Sequence, residues 1–259
     1  MGLFENDRNV LLSSQWLNDN IIYVAQQLMK ISVPDGTTIG GLQSPQCGRV
    51  CGFKPAKTRE KWIQLFHVNG DHWITVSNID VGQDAARSDV IYVYDSLLQP
   101  GMSLNTKKMI CSLARPVCKT VTFDIINVMS QPNTWDCGVF ALANATELLY
   151  GYDPARCHWE VGGMRKHLLE CLERGHMLRF PTLKQRRLPL GSRVKFSFKE
   201  SIYCVCRMPN DKKIPMVQCS SCTNWYHGQC LNINVEDVED SERKWICDEC
   251  KEMLSDNRA

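Results

Sequence analysis

A chain of 259 residues with 44% hydrophobic and 22% charged side chains is long enough for two cores and ordinary in composition, which excludes a disordered or fibrous protein. Its net charge of +2 argues against a whole-protein nucleic-acid clamp. The charge is uneven: residues 201–259 hold seven Lys/Arg against ten Asp/Glu, about −3, which leaves about +5 on residues 1–200 and makes the C-terminal part suited to a basic peptide partner.

Near the N-terminus, Leu17, Ile21, Ile22, Ala25, Leu28 and Met29 share one helical face, with Ser13 or Ser14 as N-cap and an end near Lys30. Pro34-Asp35-Gly36 and Gly40-Gly41 read as turns, and residues 34–60 as loop. Alternation then predicts strands over Lys61–Val68 and His72–Asp80, joined by the hairpin signal Asn69-Gly70-Asp71. A third strand, Asp89–Tyr94, ends at Asp95-Ser96. A helix over Ser103–Leu113, a strand over Lys119–Ile125, a helix following Cys137 and another over Val161–Glu173 complete an α+β domain. Phe180–Ser197 holds Pro181, Pro189, Gly191 and the basic residues Lys184, Arg186, Arg187, Arg193 and Lys195, and reads as a linker.

Seven of the 14 cysteines lie within residues 204–250 at metal-ligand spacings, and the other seven are scattered, unlike a secreted disulfide framework. No apolar run reaches membrane-spanning length, and Met1–Asn6 lacks the plan of a signal peptide. A reducing compartment, cytosol or nucleus, and no membrane partner are expected.

Cys137 opens the apolar run Gly138–Leu149, a helix N-terminus where backbone dipoles favour a thiolate. Gln131, six residues earlier, could donate N–H to a developing oxyanion. The same pattern also fits a cysteine that merely packs. For a base, His72 precedes Trp73 at a strand start and Asp95 ends the next strand, although His67, His158, His167 and His176 are equally available singly. The order Trp16-Leu17-Asn18-Asp19, His72-Trp73, Tyr94-Asp95-Ser96, then Gln131 through Gly138 is more specific than any one member.

That ordered set resembles the ubiquitin-like-protein proteases of the Ulp and sentrin-specific (SUMO protease) family. The resemblance implies a papain-like α+β fold over residues 1–180, with Cys137 as nucleophile, His72 as general base, Asp95 orienting it and Gln131 in the oxyanion hole. It further implies that Trp16 and Trp73 sandwich a Gly-Gly tail, with Asp19 nearby. Two departures stand out: an apparent insertion, Val81–Ser88, and Thr134-Trp135 in place of smaller residues.

From Cys204 the spacing runs Cys204-x-Cys206, Cys219-x-x-Cys222, His227-x-x-Cys230 and Cys247-x-x-Cys250, enough for two tetrahedral zinc sites in a module too small to fold without metal. The His in fifth place, Trp225-Tyr226-His227 and Trp245 two before Cys247 resemble the PHD finger rather than a RING. The resemblance implies that Cys204, Cys206, His227 and Cys230 share one ion and Cys219, Cys222, Cys247 and Cys250 the other. It also implies a methyl-lysine cage of Tyr203, Met216 and Trp225 for a histone H3 tail. Ser220-Ser221 stands where relatives often carry an acidic residue for a histone arginine, and Asp211 is the substitute at hand.

The expectation is a nuclear cysteine protease of three parts: catalytic domain 1–180, basic linker 181–200 and zinc finger 201–259. It would act on a ubiquitin-like protein of the SUMO or NEDD8 class, without direct nucleic-acid binding. The rival expectations are a processing protease of a mobile or viral element, and a chromatin reader whose protease fold is only a docking surface.

Overall fold

In a computed structural model, residues 3–33, 38–47, 52–57, 59–97, 101–185, 188–189, 191–239 and 244–256 are described, and the chain divides into two units, 1–200 and 201–259. The first begins with α1 (Glu5–Leu11), which the sequence pattern did not announce, and α2 (Asp19–Ile31). The cap of α2 is Asn18, whose Oδ1 accepts from Ile21 N at 2.9 Å, and not Ser13 or Ser14. Ser13 is already used at the end of α1, where its hydroxyl donates to Val10 O.

The expected turn at Pro34-Asp35-Gly36 lies outside the described residues. Gly40-Gly41 is not a turn but strand β1, pairing in parallel with Trp62 and Ile63. Gly41 has φ +79°, and a Cβ there would collide with the Ile63 carbonyl, so the close approach needs glycine. Strands β2 (Trp62–Val68) and β3 (His72–Ser77) form the expected antiparallel hairpin, in register from Ile63↔Ser77 to Val68↔His72. Asn69 and Gly70 turn the corner with φ of 56° and 93°, which these two residue types tolerate best.

Both strands are buried on two faces rather than alternating. Phe53 packs edge-on against Phe66 at 5.0 Å on one side, and the helix opened by Cys137 covers β3 on the other. Buried Gln64 is satisfied within this core: its Nε2 donates to Gln26 Oε1 at 3.0 Å and its Oε1 accepts from Gln43 N at 2.7 Å. Strand β3 stops at Asn78, whose side chain bonds Trp62 N and Glu60 O in place of the ladder. The Val81–Ser88 insertion supplies the turn and the second strand of a small hairpin, β4 (Ile79–Asp80) pairing with β5 (Ala85–Ala86).

Strand β6 (Val90–Tyr94) continues the sheet beside β3, α3 (Leu104–Ala114) is capped by Ser103, and β7 (Thr120–Ile126) pairs with β6 in parallel. Helix α4 (Cys137–Leu149) is buried along its whole length, so its apolar residues run all round rather than along one stripe. Its one carboxylate, Glu147, is held by the Arg179 fork at 2.8 to 3.2 Å. Strand β8 (Cys157–Trp159) and α5 (Val161–Arg174) follow, and Gly175 at φ 72° closes α5.

The stretch 181–200, expected as a basic linker, holds β9 (Thr182–Gln185), paired with β8, and most of β10 (Val194–Tyr203). In the sheet order β1-β2-β3-β6-β7-β10, this last strand sits beside β7. It is pinned by Phe198 stacked on Phe123 at 5.2 Å, Ser197 Oγ to Asp124 at 2.7 Å and Glu200 to Lys107. Arg193 is an ion-pair partner of Asp153 rather than a solvated charge, and Arg186 and Arg187 lie outside the described residues.

The second unit has little apolar core. The end of β10 pairs with β11 (Met208–Pro209), and β12 (Met216–Gln218) pairs with β13 (Trp225–His227). Val217, Tyr226 and the buried cysteines, with Trp245 edge-on to Tyr226 at 5.6 Å, form its centre.

Candidate active site and zinc clusters

Three element ends meet in the first unit. His72 is the first residue of β3, Asp95 follows the last residue of β6 and Cys137 is the first residue of α4. The β3–β6 register, Thr75↔Tyr94, puts Asp95 opposite Ile74 and diagonal to His72 on the same face. His72 Nε2 accordingly lies 2.7 Å from Asp95 Oδ1, which also accepts from Leu97 N at 2.8 Å. The other ring nitrogen is left free of Asp95, and Cys137 is the second group whose proximity raises the pKa of the ring.

Burial alone would pull the His72 pKa down. The hydrogen bonds and charges of Asp95 and Cys137 outweigh it and raise it from 6.5 to about 9, so the ring carries a proton beside the sulfur at neutral pH. Cys137 Sγ stands 3.9 Å from Asp71 O, in the hairpin turn just before His72. Elsewhere in the unit, burial pushes the Cys111 and Cys157 thiols up to about 12, which keeps them inert.

Gln131 is buried and fixed at both ends of its amide. Oε1 accepts from Ser96 Oγ at 2.6 Å and Nε2 donates to Asn133 O at 2.6 Å, while its backbone N–H reaches Ser96 O. The loop to Cys137 is tied by Asn133, whose Oδ1 accepts from the N–H groups of Trp135 and Asp136 and whose Nδ2 donates to Asp136 Oδ2.

The two candidate tunnel tryptophans differ in exposure. Trp16 is 55% exposed and donates its indole N–H to Thr134 O at 2.7 Å; Trp73 is 2% exposed and donates to Leu17 O at 3.3 Å. Both indoles therefore anchor at residues 16–17 or at the loop before Cys137, while Asp19 is the first residue of α2. Of the other candidates, His67 packs on Trp73, His158 lies on β8 paired with β9, His167 contacts Cys171 Sγ and Leu178 O, and His176 contacts Ser32.

In the second unit, the ligand atoms of Cys204, Cys206, His227 and Cys230 lie within 4.8 Å of one another, as do those of Cys219, Cys222, Cys247 and Cys250. His227 turns Nδ1 toward Cys206 Sγ and Cys230 Sγ, at 3.4 and 3.8 Å. Two interleaved sets of soft donors of this size fit two structural zinc ions. Tyr203, Met216 and Trp225 line one open cleft of about 350 Å³ with Ile214, Pro215 and Lys212. Asp211, by contrast, spends a carboxylate oxygen on Lys213 N in its own turn.

Residues 60–168 match the Ulp1 protease family, C-terminal catalytic domain, and residues 204–250 match the PHD-finger. The chain carries a Ulp1-family catalytic domain and a PHD finger. For the fold of the Ulp1-family domain, the solved structure of the SUMO protease Ulp1 with its catalytic cysteine oxidised to a sulfinic acid superposes with a TM-score of 0.51. The identity is 16%, over 67% of this chain and 84% of that one. The PHD finger is 42% identical over 53 residues to nucleosome-remodeling factor subunit NURF301 of Drosophila melanogaster, covering 20% of this chain and 2% of that protein. It is 36% identical over 50 residues to chromatin remodeling protein EBS of Arabidopsis thaliana, covering 19% and 21%. The chain thus spans only a small part of these curated relatives.

One residue of the Ulp1-family domain that sequence reading missed is Arg165 on α5. Its guanidinium bonds Asp136 Oδ1 at 2.7 Å and the carbonyls of Val10, Gln15 and Trp135 at 2.9, 2.6 and 3.3 Å. It therefore joins the segment before Trp16 to the residue before Cys137. Three of its four acceptors are backbone carbonyls, which no residue type advertises.

Proposed function

We propose that the first unit is a cysteine isopeptidase that cleaves after the C-terminal glycine of a ubiquitin-like modifier of the SUMO or NEDD8 class. The observation that carries this reading is the buried contact of 2.7 Å between His72 Nε2 and Asp95, with Cys137 at a helix start close enough to act on the same ring. Cys137 attacks the glycine carbonyl as the thiolate of an ion pair with His72. Gln131 Nε2 and the Cys137 N–H receive the oxyanion, His72 protonates the departing amine and water clears the thioester. Trp16 and Trp73 flank a tail that only glycine is narrow enough to form.

The second unit reads a histone H3 tail bearing a methylated lysine. Its support is the shared cleft of Tyr203, Met216 and Trp225, whose aromatic faces attract a quaternary ammonium, together with relatives that are chromatin-remodeling proteins. A protease so tethered would work near modified chromatin in the nucleus.

The test for the enzyme is covalent labelling by C-terminally electrophilic SUMO, NEDD8 and ubiquitin probes, beside Cys137→Ala. Selective labelling that the variant loses is expected; no labelling by any probe would overturn the isopeptidase reading in favour of a docking surface. For the reader, titration of trimethylated and unmodified H3 peptides should separate the two, and Trp225→Ala should abolish the difference.

A further inference from the structure

We infer that Ser96 is a positioning residue: with the Asn133 carbonyl selecting the donor end, its hydroxyl holds the other end of the Gln131 carboxamide, so that the amide keeps a donor rather than an acceptor toward the reacting carbonyl. The inference rests on the proposed catalytic role of Gln131 and adds to it.

A carboxamide can sit either way round, and the two ways are opposite in function. With N–H facing the reaction it stabilises an oxyanion; with oxygen there it repels one. Gln131 meets a donor at one end and an acceptor at the other. Ser96 Oγ donates to Oε1 at 2.6 Å, and Asn133 O takes one Nε2 hydrogen at 2.6 Å. Rotated by half a turn, Oε1 would face the Asn133 carbonyl, two acceptors with no proton between them. The bond to Asn133 uses one of the two Nε2 hydrogens and leaves the second for an oxyanion.

Ser96 is well made for this. It is almost fully buried, and its own carbonyl accepts from the Gln131 N–H at 3.1 Å, so side chain and backbone grip the same residue. It also follows Asp95 directly. Two consecutive residues at the end of one strand therefore fix the two moving parts of the chemistry, Asp95 the imidazole and Ser96 the oxyanion donor.

The test compares Ser96→Ala with the unaltered chain in three measurements. Hydrolysis of the modifier–aminocoumarin conjugate matching the probe that labels should fall about tenfold in kcat with KM unchanged, the loss of one net hydrogen bond. Ser96→Ala should add nothing on top of Gln131→Ala, since both act through the same amide. Alkylation of Cys137 by iodoacetamide, which creates no oxyanion, should keep its rate and pH profile and so report an intact His72–Cys137 pair. A parallel fall in alkylation, or additive losses in the double variant, would overturn the inference. The side-chain amide signals of Gln131 in a 15N spectrum serve even if no modifier is cleaved. They should move in Ser96→Ala, and unchanged signals would overturn the inference whatever the activity. Moved signals in a chain that cleaves nothing would retain the positioning and reject the isopeptidase reading.

Discussion

His72 sets the pH behaviour of the site. Its folded pKa, about 9, stands above the 6.5 of the free side chain, so its contribution to stability is full below about pH 6.5 and is lost as pH rises through about 9. Chemical denaturation should therefore show the first unit losing stability between those limits, and Asp95→Asn should flatten the loss. In the proposed mechanism the leaving amine takes its proton from His72, so the rate of amide hydrolysis should fall on the same alkaline limb. For Gln131→Ala, removal of the proposed oxyanion donor should cost about 3 kcal/mol in kcat, slow but measurable, as steady-state kinetics would report. All three of these side chains were legible from the order of motif residues. Ser96 was legible as a member of the Tyr94-Asp95-Ser96 motif, while its partner was not, since a hydrogen bond spanning 35 positions leaves no local mark.

Elements carry the next layer. Helix α4 starts with Cys137 and Gly138, and a Cβ added at Gly138 would stand 3.0 Å from Leu17 Cβ and 3.2 Å from its Cδ1. Gly138→Ala should push Leu17, next to Trp16, and cost about 1 to 3 kcal/mol by overpacking, readable in a denaturant midpoint. Arg165→Met should cost more, about 3 to 5 kcal/mol, because it leaves the Asp136 carboxylate buried without a cationic partner, with only the Asn133 amide still on it. The same variant frees the chain before Trp16, so labelling by the modifier probes should slow beyond what the lost stability explains. Periodicity identified α3, α4 and α5 to within a residue or two and the C-terminal end of α2, whose start it placed four or five residues early. It missed α1, a short helix whose order comes from Asp7 taking N–H groups from Phe4, Asn18 and Asn20 rather than from an apolar stripe. It missed β10 because proline and basic residues around it suggested a tether, whereas Phe198 and Glu200 point to partners on β7 and α3.

At the scale of the molecule, the two units hold themselves together by different means. The first has a large apolar core around α4; the second has few buried apolar side chains beyond its cysteines, Val217 and Tyr226. Stripping zinc with a chelator should therefore unfold residues 201–259, seen as protease cleavage there, while alkylation of Cys137 in the first unit continues unchanged. The eight ligands were plain in the sequence because metal geometry forces short, regular spacings. The cleft beside them was foreseeable only in its residue types, since its shape depends on how β12 and β13 pair.

The distribution of tryptophans gives the protein an optical readout of its own. Of the seven, Trp62, Trp73 and Trp159 are buried, whereas Trp16 at 55% and Trp225 at 39% exposure each stand in a different unit, at the place where that unit would take its ligand. Intrinsic emission should shift to the blue when either indole is covered. With Trp135 and Trp245 half-buried near the same two places, a Trp16→Phe chain should lose most of the response to the modifier and a Trp225→Phe chain most of the response to the peptide, so the two encounters can be told apart without any attached dye.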